Sequence, residues 1–247
     1  MRNIKIEVCC GSADDVIQAE KSGADRAELN SCLFFGGLTP TIGELETALE
    51  STSNIEILTM ARPRQGGFCY TDAEFRTALK DARELLAHGS KGIVFGFLNQ
   101  DGTVDMDRCK AMMEVIGDKV SVFHRAIDVV PDWKEALDQL CQLGVTRVLT
   151  SGQEPDVFYG VDTVKEMIEY AAGRIEILPG AGITMKNAKR IIEYTGCTQI
   201  HVARHKPCYD YSTSNNSSIY YGGALYPNEE RYEMIDKDYI SGVIQSI

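Results

Sequence analysis

No stretch of this 247-residue chain approaches about 18 consecutive apolar residues, and the opening MRNIKIEVCCGS lacks the roughly 7–15-residue apolar core and small-residue cleavage site of a secretory leader. A membrane-spanning segment is therefore not expected, and a cytoplasmic location is. Basic charge is also in deficit. The 25 Lys and Arg face 36 Asp and Glu, a formal charge of -11, which repels nucleic-acid phosphates and anionic membrane surfaces. Neither is expected as a partner. The eight cysteines show no C-x-x-C or zinc-finger spacing, being scattered at 9, 10, 32, 69, 109, 141, 197 and 208. A chain this long folds without staples, so they are expected as reduced thiols.

What the chain does have is alternation. Eight short β-branched runs, at 4–10, 25–30, 55–61, 92–98, 120–126, 146–151, 175–180 and 198–203, are separated by amphipathic stretches near 13–22, 41–50, 72–87, 105–116, 131–143, 161–172 and 186–195. Ser12 and Asp72 stand where N-caps belong, and Gly23, Gly89 and Gly144 where left-handed helix ends belong. Strand-then-helix repetition without a linker implies right-handed crossovers and a parallel sheet. Eight such units over about 4–204 predict a (β/α)₈ TIM barrel as a single domain, the alternative being a doubly wound open sheet. A Tyr-, Ser- and Asn-rich extension follows from 205 to 247. Its 205–233 part reads as a long loop or flap, and DKDYISGVIQSI as a closing helix.

Barrel sites form at the carboxyl ends of the strands, and the polar residues there are the candidates. Alternation turns Glu7 and Cys9 to one side of strand 1, and Glu28 and Asn30 to one side of strand 2. Buried carboxylates need cations, which Arg62 and one or more of Arg26, Arg64 and Arg125 can supply. His124 and His201 add groups that titrate near neutrality; Asp128 is placed to orient His124, and His201 lies within reach of Glu7. The expected arrangement is one network of Glu7, Glu28, Arg62 and His124, with a purely structural plug as the alternative. Catalytic candidates are thus Glu7, Glu28, His124, Asp128 and His201. Arg62, Arg64, Arg125 and Ser151, with Gly180 and Gly182 of PGAGIT as a phosphate-type cradle, are candidates for holding a small anion. Cys9, Cys10 and Cys32 cluster at the ends of strands 1 and 2 as soft metal ligands, although adjacent Cys9 and Cys10 must face opposite ways.

EVCCGSADDVIQAEKSGADRAEL, GGLTP, ARPRQGGFCY, VFGFLNQDG, FHRAID, RVLTSGQ and PGAGI resemble, in order and spacing, the CutC copper homeostasis family. The resemblance covers about residues 4–204. It implies a TIM-barrel fold, a cytosolic and commonly oligomeric protein (dimer or tetramer), and Cu(I) bound by cysteines ending strands 1 and 2. The first of those is Cys9; the second position, usually cysteine, is Asn30 here, leaving Cys10 or Cys32 to supply a further thiolate. Two functions follow as expectations. One is Cu(I) binding or trafficking; the other is a barrel enzyme of lyase, isomerase or hydrolase type acting on a small anionic, phosphorylated or sugar-like compound.

Overall fold

A computed structural model describes residues 4–216, 218, 219, 221 and 231–247. Strands β1 (Lys5–Cys10), β2 (Arg26–Leu29), β3 (Glu56–Met60), β4 (Gly92–Phe95), β5 (Val120–Phe123), β6 (Arg147–Thr150), β7 (Glu176–Pro179) and β8 (Gln199–Val202) alternate with helices α1 (Ala13–Lys21), α2 (Ile42–Ser51), α3 (Asp72–Ala87), α4 (Met106–Ile116), α5 (Trp133–Gln142), α6 (Val161–Ala171) and α7 (Ala188–Thr195). The ladders among these eight strands are parallel, in the order β7-β6-β5-β4-β3-β2-β1-β8, which makes a nearly closed TIM-type barrel. The seam lies between β7 and β8, where Gln199 Nε2 reaches Glu176 Oε2 across 3.2 Å.

The caps explain where the helices begin. Ser12 Oγ accepts from the amide of Asp15. At α3 the cap is Thr71, not Asp72: Thr71 and Glu74 close a capping box and Asp72 is the first helical residue. Gly23, Gly89 and Gly144 take left-handed φ as expected.

The strands pack differently on their two sides. Outward-facing Ile6, Val8, Ala27, Leu29, Ile57, Ile93, Val148 and Ile200 join the helices in the main core. Inside the barrel, Leu58, Met60, Val94, Val122, Leu149 and Leu178 form a separate apolar cluster on β3–β7, whereas β1, β2 and β8 contribute buried Glu7, Arg26, Glu28, Gln199 and His201. The barrel interior is thus greasy on one wall and ionic on the other, and the ionic wall positions the site.

The extension differs from a simple loop. β9 (His205–Tyr209) and β10 (Arg231–Ile235) pair antiparallel, Ile235 opposite His205, and α8 (Lys237–Gln245) closes the chain. The HKPCY run carries a proline and no alternation, so its pairing was hidden until its partner strand was known. The ribbon is pinned to the barrel by buried Asp15, whose Oδ1 accepts from the amide of Ile235 at 2.7 Å, and by the Asp236 amide donating to the Arg204 carbonyl. Of the five tyrosines between Tyr209 and Tyr226, Tyr209 and Tyr211 stack on each other while both stay largely exposed; Tyr220 and Tyr226 lie outside the described residues.

Candidate metal centre and ligand cavity

Glu7 is the hub of the ionic wall. It is fully buried; its Oε2 accepts from Arg26 Nε at 3.0 Å and its Oε1 sits 2.9 Å from His201 Nδ1. Arg147 Nη1 lies 3.9 Å from Glu7 Oε2 while its Nε pairs with Glu176 at 2.8 Å, and Arg26 Nη2 donates to Gln199 Oε1 at 2.6 Å. Burial alone pushes the Glu7 carboxyl up, but the hydrogen bond and charge of His201, followed by Arg26 and Arg147, outweigh it and hold the group down to about 2. Burial pulls His201 down, and the charge of Glu28, the Cys9 sulfur and Glu7 together outweigh it, holding the imidazole well above its ordinary value.

Above this pair sit Cys9 and Glu28. Cys9 Sγ is 3.9 Å from Glu28 Oε1, and Asn30 Nδ2 donates to the same oxygen at 2.9 Å while lying 3.8 Å from the sulfur. The ligand atoms of Cys9, Glu28 and His201 all lie within 4.8 Å of one another. Burial, with Glu7 adding to it, pushes Glu28 up, and burial pushes the Cys9 thiol up. Glu28 Oε2 has no hydrogen-bond partner. Cys9, Glu28 and Asn30 line a cavity of about 680 Å³ that opens at the carboxyl ends of β1 and β2, and His201 lies buried beside the first two.

Of the cysteines expected at a metal, one joins this group. Cys9 and Cys10 do face opposite ways: Cys10 is buried in the helix-side core with its thiol on the Val8 carbonyl. Cys32 lines the cavity but stands at its exposed rim in a left-handed conformation (φ 49°). Cys9, Cys10 and Cys32 therefore do not form one ligand set; His201 and Glu28 take the places beside Cys9.

The single network of Glu7, Glu28, Arg62 and His124 is not what the fold builds. Arg62 is a loop clamp: Nη1 donates to the carbonyls of Phe35, Gly36 and Gly37, and Nη2 to that of Gly66. Arg64 is held by Glu74 and the carbonyls of Gln65, Gly67 and Cys69. Asp128 does not touch His124; it accepts from Arg125 Nε, the Thr150 hydroxyl, and the amides of Ser151 and Gln153, and Arg125 reaches on to Ser151 Oγ at 2.7 Å. These residues tie the turn after β5 to the loop after β6. The arginines expected to clamp an anion are engaged in loop architecture, because the loop path put carbonyls within their reach.

His124 faces the barrel but is isolated. Nδ1 accepts from the Ala126 amide at 3.1 Å, the ring packs 4.7 Å from Phe68, and Nε2 has no partner. A Cβ on Gly96 would meet the imidazole at 2.3 Å, so only glycine admits it. Burial, with Arg62 adding to it, pulls the imidazole down to about 3. The unfolded chain, near 6.5, takes this proton first, so the stabilisation is complete above about pH 6.5 and lost as pH falls toward 3. Urea unfolding of wild type and His124→Gln at pH 7 and 4.5 should show wild type losing about 2 kcal/mol more than the variant. Equal losses would contradict the buried neutral imidazole.

The PGAGIT corner is also filled. Gly180 packs under Leu149 and His201, and a Cβ on Gly182 (φ 77°) would lie 1.8 Å from the Asp156 carboxylate. A carboxylate occupies the place proposed for phosphate. Thr184 opens a turn, its amide donating to Asn187 Oδ1, and α7 starts later, at Ala188.

Sequence reasoning did not single out Arg147 or Gln199, and it offered Arg26 only as one of several partners. Their signal was parity: Arg26 lies two residues before Glu28, and Gln199 two before His201, hence on the same inner face. They sit one layer below the strand exits.

The family model described as the CutC family matches residues 4–206. The chain belongs to the CutC family. A family protein CutC from Treponema denticola is 53% identical over 247 residues, covering 100% of both chains. The copper homeostasis protein cutC homolog of Homo sapiens is 38% identical over 231 residues, covering 94% of this chain and 84% of that one. The crystal structure of the Streptococcus agalactiae CutC protein superposes with a TM-score of 0.77 at 33% identity, covering 80% of this chain and 97% of that one. The CutC match ends just inside β9, so the barrel and its ionic wall fall within it and most of the ribbon falls beyond it. No helix among the described residues is long and apolar enough to cross a membrane.

Proposed function

We propose that this CutC-family chain binds Cu(I) as cargo through Cys9 and His201, with Glu28 as a third, weaker donor. The observation that carries the reading is the grouping of one thiol, one imidazole and one carboxylate within 4.8 Å, with the thiol and the carboxylate lining an open cavity. Thiolate is the soft ligand that selects Cu(I), and imidazole suits copper as well. Glu7 supports the site from behind by fixing the His201 ring through Nδ1, the carboxylate–histidine arrangement that orients metal-bound imidazoles. The names of the Homo sapiens and Mus musculus relatives, copper homeostasis protein cutC homolog, agree with a copper role.

The test is a competition titration of Cu(I) against a chromophoric chelator under reducing conditions. Wild type should take up one equivalent, and Cys9→Ser should weaken binding at least about 100-fold while Cys32→Ser leaves it unchanged. Retention by Cys9→Ser would place the metal elsewhere. A second reading rests on Glu28: a buried carboxyl raised by its surroundings and facing a cavity is equipped for general acid–base work on a small ligand. Turnover of any cavity ligand that is lost in Glu28→Gln without loss of binding would support it.

A further inference from the structure

We propose that the cavity above Cys9 and Glu28 also binds a small, uncharged, hydroxyl-rich molecule, independently of any metal. Size comes first: about 680 Å³ is far more than one ordered water fills and lies within the usual range of small-molecule sites. The floor then sets the polar chemistry. Glu28 is 3% exposed, its Oε1 is taken by Asn30, and its Oε2 is buried without a donor. A buried acceptor left in that state is costly, so the cavity calls for a hydrogen-bond donor on its occupant.

Charge narrows the choice. No Arg or Lys is among the described residues lining the cavity, while Asp15 and Glu233 line its wall, so an anion meets carboxylates with no basic side chain beside them but the His205 imidazole, itself 3.7 Å from Asp15. An ammonium fares little better. Asp15 already accepts from the amides of Gly11 and Ile235 and pairs with His205 at 3.7 Å, and Glu28 shares its ion-sized space with the His201 imidazole. Hydroxyl groups donate without bringing charge. The mouth supplies the complementary apolar surface: Leu33 and Phe34 line it, Phe34 being 81% exposed, where the C–H face of a compact polyol ring can lie against the aromatic side chain. This inference goes beyond the copper reading and replaces the anionic ligand expected from the arginines and glycines.

The experiment is calorimetric titration of the full chain kept metal-free by a Cu(I) chelator, with myo-inositol, glucose, inorganic phosphate and putrescine as separate probes. Binding of an uncharged polyol, with phosphate and the diamine silent, is the expected result. Glu28→Gln should weaken it about tenfold. Phe34→Ala, at an exposed position that leaves folding untouched, should weaken it severalfold. Binding of phosphate or putrescine in preference to both polyols, binding unaffected by both substitutions, or no binding of either polyol would each overturn the proposal. Because the chain is metal-free, such a failure leaves the copper reading standing, and a failed copper titration leaves this one standing.

Discussion

Glu7→Gln should cost about 3–5 kcal/mol of folding stability, the largest loss expected from any single change in the barrel interior. The carboxylate is completely buried and is approached by Arg26 at 3.0 Å, His201 at 2.9 Å and Arg147 at 3.9 Å. Removing it leaves buried cations with no solvent to turn to: Arg147 keeps Glu176 and His201 keeps the nearby Glu28, but Arg26 loses the carboxylate its Nε donates to. The amide keeps the shape and loses the charge, so the loss is electrostatic and not a packing defect. The pH dependence has a definite sign. Glu7 is held down to about 2 in the folded state against an ordinary 4.5, so its contribution is complete above about 4.5 and disappears as pH falls toward 2. The gap between wild type and variant should therefore be widest near neutrality and close in acid. Urea unfolding across that range is the measurement, and a variant within 1 kcal/mol of wild type at pH 7, by the ordinary ~1 kcal/mol scale of point mutants, would contradict the hub role.

Asn30→Cys should raise Cu(I) affinity on the order of 100-fold. Asn30 Nδ2 is 3.8 Å from Cys9 Sγ, and its side chain occupies the position from which a second thiolate would face the first. One soft ligand beside an imidazole becomes two. The same change removes the Asn30 hydrogen bonds to Glu28 Oε1 and to the Glu28 carbonyl, so a stability loss of about 1–3 kcal/mol should accompany the gain. Competition titration reads the first effect and thermal unfolding the second. Unchanged affinity with intact fold would mean that copper does not sit beside residue 30.

Much of the barrel was legible because its signals are local. Runs such as IKIEVCC and GIVFGFL announce strands, and glycines at 23, 89 and 144 end helices where left-handed φ is needed. Strand parity placed Glu7 with Cys9 and Glu28 with Asn30, and strand adjacency placed His201 against Glu7; the structure shows all three. The errors share one origin. The roles of Arg62, Arg64, Arg125 and Asp128 depend on where loop carbonyls and amides pass, and the path of a loop is set by the assembled barrel, not by its own spacing. Likewise, Asp156 fills the glycine corner from a segment 26 residues upstream of Gly182. Arg26 was legible only as one of several possible partners, and Arg147 and Gln199 not at all, because these groups lie one layer below the strand exits where barrel sites form.

The central claim, that one cysteine and one histidine on the ionic wall hold Cu(I), is tested most directly by copper X-ray absorption on the loaded chain. One sulfur with nitrogen or oxygen is expected around the copper, the sulfur contribution vanishing in Cys9→Ser and the imidazole contribution in His201→Ala. A shell of two or more sulfurs, or a spectrum unchanged by Cys9→Ser, would contradict it.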